Sequence, residues 1–316
     1  MSAFLDVLAF SFSVTGPIFV ILALGVWLLR IGMVNDAFIE VGSRVVFNFA
    51  LPSLLFLSIA RTRIEDTTNP GLIAYGVGAT VLSWLALEWL AARTVHPAED
   101  RGVVVQGAFR SNLGIIGLAY CVNAYGQAGL ATASLYVGIV TIVFNVLSVI
   151  TLSRSLHKSS SPARMLRGIA TNPLIIGIVL ALPVSANGIQ LPRVLLQSGQ
   201  YLADLTLPLA LLCTGASLNF RSLRADFRNT AFAVVGKQVA IPLLFAAGGI
   251  AFGFRGIELG VMLLLASAPT AAASYVMARA MGGNAALAAN IVALTTLASL
   301  LTTSLAITAL RALQLI

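Results

Sequence analysis

Two short runs inside otherwise apolar sequence carry the residue types that can handle a solute. One is Arg110-Ser111-Asn112-Leu113-Gly114-Ile115-Ile116-Gly117; the other is Ala266-Ser267-Ala268-Pro269-Thr270-Ala271. Pro269 lacks a backbone donor and clashes with the turn before it. Gly114 and Gly117 permit backbone angles that other residues avoid. Both runs therefore predict a helix that breaks. Half-helix ends meeting at such a place bring partial positive charge at N-termini and partial negative charge at C-termini. An anionic group can be held there without a full buried counter-charge. Ser111, Asn112, Leu113, Gly114, Ser267, Ala268, Pro269 and Thr270 are the candidate substrate-binding residues. Asn112 has the stronger case because it lies in the break, whereas the Ser267 and Thr270 hydroxyls can instead bond back to carbonyls one turn earlier. Replacing Pro269 by alanine is expected to let its helix run more continuously.

Charge inside an apolar segment is costly and marks function by default. Arg110, Asp204 and Lys237 are the candidate coupling or gating charges. Arg110 directly precedes the first break, where it can draw an anion or reach back to the inner face. Asp204 can carry a coupling proton as a carboxyl group in low-dielectric surroundings. Lys237 lies two turns into its segment, and a pairing with Asp204 is open to it. Glu88 sits near the end of its segment and can reach the interface. Asn48, Pro52 and Pro208 are assigned to helix kinks and support.

The elements that must position these residues follow from composition. The 316 residues are 59% hydrophobic and 9% charged, with net charge +8; mean hydropathy is +0.96. Soluble domains carry roughly 25% charged residues, so the chain reads as an all-α polytopic membrane protein. A membrane helix needs about 20 apolar residues, and ten spans fit: 14–29, 41–59, 71–92, 103–125, 128–152, 169–182, 200–218, 230–252, 257–281 and 285–310. The predicted breaks fall in spans 4 and 9. Loops after odd-numbered spans and their flanks hold twelve Arg and Lys against five in the others and the tail. By the positive-inside rule the odd loops are cytoplasmic and both termini face outward. No basic residue precedes the first apolar stretch, which argues against a cleaved signal peptide. The basic charge is therefore assigned to topology, with a lipid bilayer as partner and no nucleic acid.

A shift of 156 residues aligns the two halves. Thr15-Gly16-Pro17 meets Thr171-Asn172-Pro173, Asn48 meets Asp204, Pro52 meets Pro208, Ser111 meets Ser267, and Ala124 and Gly126 meet Ala280 and Gly282. Roughly 0.2 proline coincidences are expected by chance and two occur, which favours an internal duplication. The first five-helix repeat is 1–153, the cytoplasmic linker 154–168 and the second repeat 169–316. Five is odd, so the second copy enters the membrane from the opposite side. Such inverted repeats place the solute site near the midplane, where discontinuous helices meet.

Cys121 and Cys213 lie in apolar segments with no metal-ligand spacing, and His96 and His157 are far apart in loops. With no Ser/His/Asp set, metal motif or phosphate loop, the expectation is not an enzyme, with no metal and no cofactor beyond possible H+ or Na+ coupling. The leading reading is a secondary transporter of a small organic anion such as a carboxylate. Alternatives are a sodium-coupled symporter of the bile-acid type and a non-transporting membrane sensor.

Four runs resemble the auxin efflux carrier family of PIN-like transporters: Asn48-Phe49-Ala50-Leu51-Pro52-Ser53-Leu54-Leu55-Phe56; Ser111 to Leu118 followed by Tyr125-Gly126; Ser267-Ala268-Pro269-Thr270 with Ala273-Ser274-Tyr275 and Ala278; and Thr295-Thr296-Leu297-Ala298-Ser299-Leu300. The resemblance spans nearly the whole chain and implies a compact bacterial-type member. It implies broken crossover helices in spans 4 and 9, as in bile-acid-symporter-like folds. It also implies a scaffold of spans 1, 2, 6 and 7, a transport unit of spans 3–5 and 8–10, elevator-type movement and a possible homodimer. Family substrates are organic anions such as auxin or malonate. In one respect the chain departs from the family: residues 113–119 contain no proline where many members carry one. The first break must then rest on glycine and asparagine, or be shallower.

Overall fold

The computed structural model describes residues 2–60, 69–156, 170–171, 173–217 and 226–316, with side chains described from residue 16 onward except at 58, 174, 276, 279 and 280. The cytoplasmic linker assigned to 154–168 therefore lies largely outside the described residues. Among the described residues the fold is helical throughout, and its single β-type pairing is an isolated bridge between Ser111 and Thr270.

The helices are α1 (Ser2–Arg30), α2 (Asp36–Val45), α3 (Leu51–Ala60), α4 (Pro70–Thr94), α5 (Arg101–Phe109), α6 (Leu118–Ser155), α7 (Pro173–Ala186), α8 (Arg193–Ser217), α9 (Phe227–Val235), α10 (Ile241–Ala251), α11 (Gly256–Ser267), α12 (Ala273–Met281) and α13 (Ala285–Ala312). Short π-helical segments join three of them to their neighbours: Val46–Ala50, Leu113–Gly117 and Gly236–Ala240. Among the described residues five stretches are long and apolar enough to cross a membrane: Asp36–Leu57, Pro70–Thr94, Leu113–Ser155, Phe227–Ala251 and Ala285–Ala312. Gly16–Arg30, Ile175–Ala186 and Gly256–Ser267 are shorter apolar helices.

Large apolar side chains face outward on many of these helices, among them Val20, Phe49, Leu82, Trp89, Leu180, Leu243 and Leu301. Water would penalise so much exposed apolar surface, whereas lipid tails accept it. Alongside its apolar core the interior holds polar residues, among them Thr80, Ser83, Gln106, Asn290, Thr295 and Ser299.

Packing divides the helices into two groups. In one, α8 lies against α1, α2 and α3, and α3 lies against α7. In the other, α4, α5, α6 and α9–α13 pack on one another; at the boundary α1 packs on α13 and α6, and α3 and α7 touch α6. Between α1 and α8 the approach is reciprocal. A side chain at Gly25 would run into the Leu212 carbonyl, and one at Gly215 into the Leu22 carbonyl. Small residues let membrane helices come this close, where dispersion replaces the missing hydrophobic drive.

Two left-handed glycines end the broken helices. Gly126 (φ 57) separates the first part of α6 from the rest, and Gly282 (φ 79) follows α12. They are 156 positions apart, as are Gly32 (φ 75) and Gly188 (φ 60), which follow α1 and α7. An L side chain is disfavoured at such angles, so these four positions fix where one helix stops and the next begins.

On the face where α5, α9 and α13 start, their caps meet. The Asn284 amide donates to Asp100 Oδ1 at 3.1 Å and to Asp226 Oδ2 at 3.4 Å, while Asn284 Oδ1 caps α13 through Leu287 N. Burial pushes the Asp100 carboxyl above its ordinary pKa; the Asn284 amide draws it partly back, and Asp226 and Glu99 push it up again.

Candidate functional site

Helix α5 stops at Phe109 because Arg110 turns extended (φ −83, ψ 97) and Asn112 follows in a non-helical conformation (φ −77, ψ 68). Helix α11 stops at Ser267 because Ala268 (φ −57, ψ 141) precedes a proline, whose ring excludes helical angles from the residue before it. The two breaks face each other. Asn112 N donates to Pro269 O at 2.7 Å, and Ala271 N donates to Arg110 O at 3.0 Å. A miniature antiparallel ladder thus replaces the helical hydrogen bonds that each break gives up.

Side chains complete the junction. Thr270 Oγ1 donates to Gly107 O at 2.6 Å, and Thr270 N donates to Thr295 Oγ1 at 3.1 Å. Thr303 Oγ1 donates to Ser267 O at 3.3 Å. Ser111 Oγ lies 3.5 Å from Ala266 O, and Lys237 Nζ donates to the same carbonyl at 2.5 Å. Asn112 spends only its backbone groups on the junction: its N–H goes to Pro269 and its carbonyl accepts from Gly117 N at 2.9 Å. No partner for its side-chain amide occurs among the described residues.

Ser111, Asn112, Leu113, Ser267, Ala268, Pro269 and Thr270 are all buried in this one junction, and Gly114 is half-buried beside it. The glycines act differently from the expectation. Neither Gly114 nor Gly117 takes a positive φ; Arg110 and Asn112 carry the break. Gly117 matters for space, since a Cβ there would lie 2.9 Å from Leu265 Cδ2 and 3.3 Å from Asn112 O. The first break is also shorter, three residues between α5 and the π segment against five between α11 and α12.

Arg110 is buried and does not reach the membrane face. Its guanidinium donates to Asn145 Oδ1 at 2.7 Å and Ser148 Oγ at 3.3 Å, and it contacts Met277 Sδ. All three partners are neutral. Lys237 is fully buried in the π segment Gly236–Ala240. It is not joined to Asp204, which is exposed on α8 and accepts from Gln200 Nε2 at 2.7 Å. Asp204 is therefore not brought to the junction. Asn48 is exposed in the π segment before α3, Pro208 is exposed within α8, and Pro52 sits in the first turn of α3 against Gly177 of α7.

Several participants carried no site role in the sequence reading. Asn145, Ser148 and Met277 surround Arg110, and Thr295 and Thr303 serve the second break. The signal for the threonines was present: 295, 299 and 303 recur every fourth residue and are all fully buried polar positions on one face of α13, the spacing of a helix stripe. Behind the junction, Thr80, Ser83, Ser111, Tyr136 and Ala266 help to line a cavity of about 10 Å³, room for a single water.

A profile of the family described as "Membrane transport protein" matches residues 12–307. An "Uncharacterized transporter" of Methanothermobacter thermautotrophicus is 28% identical over 83% of this chain and 85% of its own length. A protein of Rhizobium meliloti named "Putative malonate transporter" is 26% identical over 80% of this chain and 81% of its own. "Uncharacterized transporter YfdV" of Escherichia coli is 25% identical over 83% of this chain and 85% of its own.

Proposed function

This chain belongs to the membrane transport protein family, which bears out the auxin efflux carrier resemblance, and we propose that it is a secondary carrier of a small organic anion with the paired breaks as its solute site. It is a multi-pass membrane transporter; the anion, the route and the topology are the proposal. The observation that carries it is the junction itself. Two helices give up their own ladders to bond each other, Asn112 keeps its amide free beside the join, and the cation next to it, Arg110, has neutral partners. Backbone freed at membrane depth is tolerated only where it is buried in protein or lines a water-filled cavity, and we read this junction as lining the solute path.

Asn112 is the hydrogen-bonding contact of this site. The leading amides of Leu113–Gly117 and of α12, each starting at the crossing, supply partial positive charge. Arg110 adds long-range attraction without spending its charge on a carboxylate. Ten spans in two inverted repeats fit this arrangement, with both termini outside the cell membrane. In the elevator reading, the helix group containing both breaks moves against α1, α2, α3, α7 and α8, which form the scaffold, and two chains pair as a homodimer.

Proteoliposomes containing the protein test the reading with a panel of mono- and dicarboxylates. Malonate is the first choice, because a relative's name carries it. Saturable uptake is expected, with Asn112→Ala impairing it while expression and folding stay intact. Saturable binding without flux for any carboxylate in the panel would establish a sensor instead, and wild-type rates in Asn112→Ala would remove the solute site from this junction.

A further inference from the structure

The end of α11 leaves three carbonyls whose helical donors have gone elsewhere. Leu265 O would pair with residue 269, which is proline and has no N–H. Ala266 O would pair with Thr270 N, which bonds Thr295 Oγ1 instead. Ser267 O would pair with Ala271 N, which bonds Arg110 O instead. Hydroxyls gather at the same place: Ser111 Oγ at Ala266 O, Thr303 Oγ1 at Ser267 O, and the buried Ser267 Oγ with no partner among the described residues. Carbonyl and hydroxyl oxygens converging at the negative end of a half-helix are the donor set for a small monovalent cation.

Into this set projects Lys237. Its ammonium bonds Ala266 O at 2.5 Å and its side chain is fully buried. Among the described residues the one ion pair is Arg44–Glu40, exposed on α2, so no carboxylate serves Lys237. Burying an ammonium without a counter-ion is strongly unfavourable unless the site compensates it. The Ala266 carbonyl, freed by the break, supplies that compensation. The lysine stands in a π segment, a local distortion that tends to accompany function, and the equivalent position in the first half is Val81.

We propose that the Lys237 ammonium is a resident cation, tethered in the oxygen cluster where carriers with interrupted helices hold a coupling metal ion, so that this junction takes up no sodium. The proposal rests on the junction being the solute site, and it commits that site to sodium-independent operation.

The test uses the full-length protein purified in detergent and needs no solute. Thermal unfolding is followed in equal concentrations of sodium, lithium, methylammonium or choline chloride. The wild-type midpoint is expected to be the same in sodium and in choline. Lys237→Ala is expected to unfold at a lower temperature in choline, and methylammonium, the detached head of the lysine, should restore the midpoint saturably. A Lys237→Ala protein that no small cation stabilises beyond choline would overturn the proposal. Should that variant fail to fold, radioactive sodium binding to the wild type decides: absence of saturable binding supports the resident cation, and saturable binding refutes it. Failure of every carboxylate in the flux panel would count against the transport reading and leave these readouts unchanged.

Discussion

At the end of α5 the open Gly107 carbonyl takes the neutral hydroxyl of Thr270, whereas at the end of α11 the open Ala266 carbonyl takes the ammonium of Lys237. One break spans three residues without proline, and the other spans five around Pro269. The two still meet as equals in one antiparallel pair. Proline is thus not required for such a break, since the first helix breaks without it. Each is held open by donors and acceptors that the other supplies. Each side has a buried cation, but they are used differently: Arg110 bonds the neutral side chains of Asn145 and Ser148, whereas Lys237 bonds a carbonyl of the break itself. Similar backbone with differently placed cations gives the junction a direction that its two similar halves would not otherwise have.

The comparison can be broken most severely at Thr270, which serves both sides. Thr270→Val keeps the shape but strands the buried Gly107 carbonyl, a loss of about 1–3 kcal/mol, and solute flux should fall with it. Thermal unfolding of the purified protein and uptake in proteoliposomes check the two parts; Thr270→Ser should recover both. A milder perturbation is Gly117→Ala. Its new methyl meets Leu265 and the Asn112 carbonyl, and overpacking of this kind costs about 1–3 kcal/mol, reduced here to the extent that the Leu265 methyl can yield. An unfolding midpoint equal to wild type would show that the Leu265 side chain yields fully to the new methyl.

The smallest effect is expected at Pro269. The sequence alone suggested that Pro269→Ala would let α11 run on. The cross-bonds from Asn112 N to Pro269 O and from Ala271 N to Arg110 O argue that the break persists, so removal of proline should cost only about 0.4–1 kcal/mol through the unfolded chain. A structure of the variant with helix continuing through residue 269 would make the second break proline-driven and separate it in kind from the first.

What could be read in advance was whatever local chemistry writes locally. Pro269, Gly114 and Gly117 pointed to both breaks, and Gly126 and Gly282, aligned as repeat matches, both take a positive φ. Hydropathy pointed to an all-helical membrane chain because lipid-facing length is a local property. The partners of each charge were hidden, since they depend on which faces meet. Arg110 was balanced between drawing an anion and reaching the membrane face; Asn145 and Ser148, on the next span, keep it inside. Lys237 was set beside Asp204 as the available opposite charge, yet its acceptor is a backbone carbonyl, which every residue has and no sequence pattern announces. Asn284 had no assignment until Asp100 and Asp226 stood next to it.

The cross-bonded junction also has a consequence for synthesis. The carbonyls of Gly107 and Arg110 are closed by Thr270 and Ala271, which leave the ribosome more than 150 residues later. The first half of the chain must therefore enter the bilayer with its interrupted helix unfinished, those peptide groups kept wet or paired with something provisional. The first interruption acquires its permanent partners only when Thr270 and Ala271 arrive, and the second only when Thr295 and Thr303 of α13 follow. Assembly of the junction is then completed only with the last helix of the nascent protein.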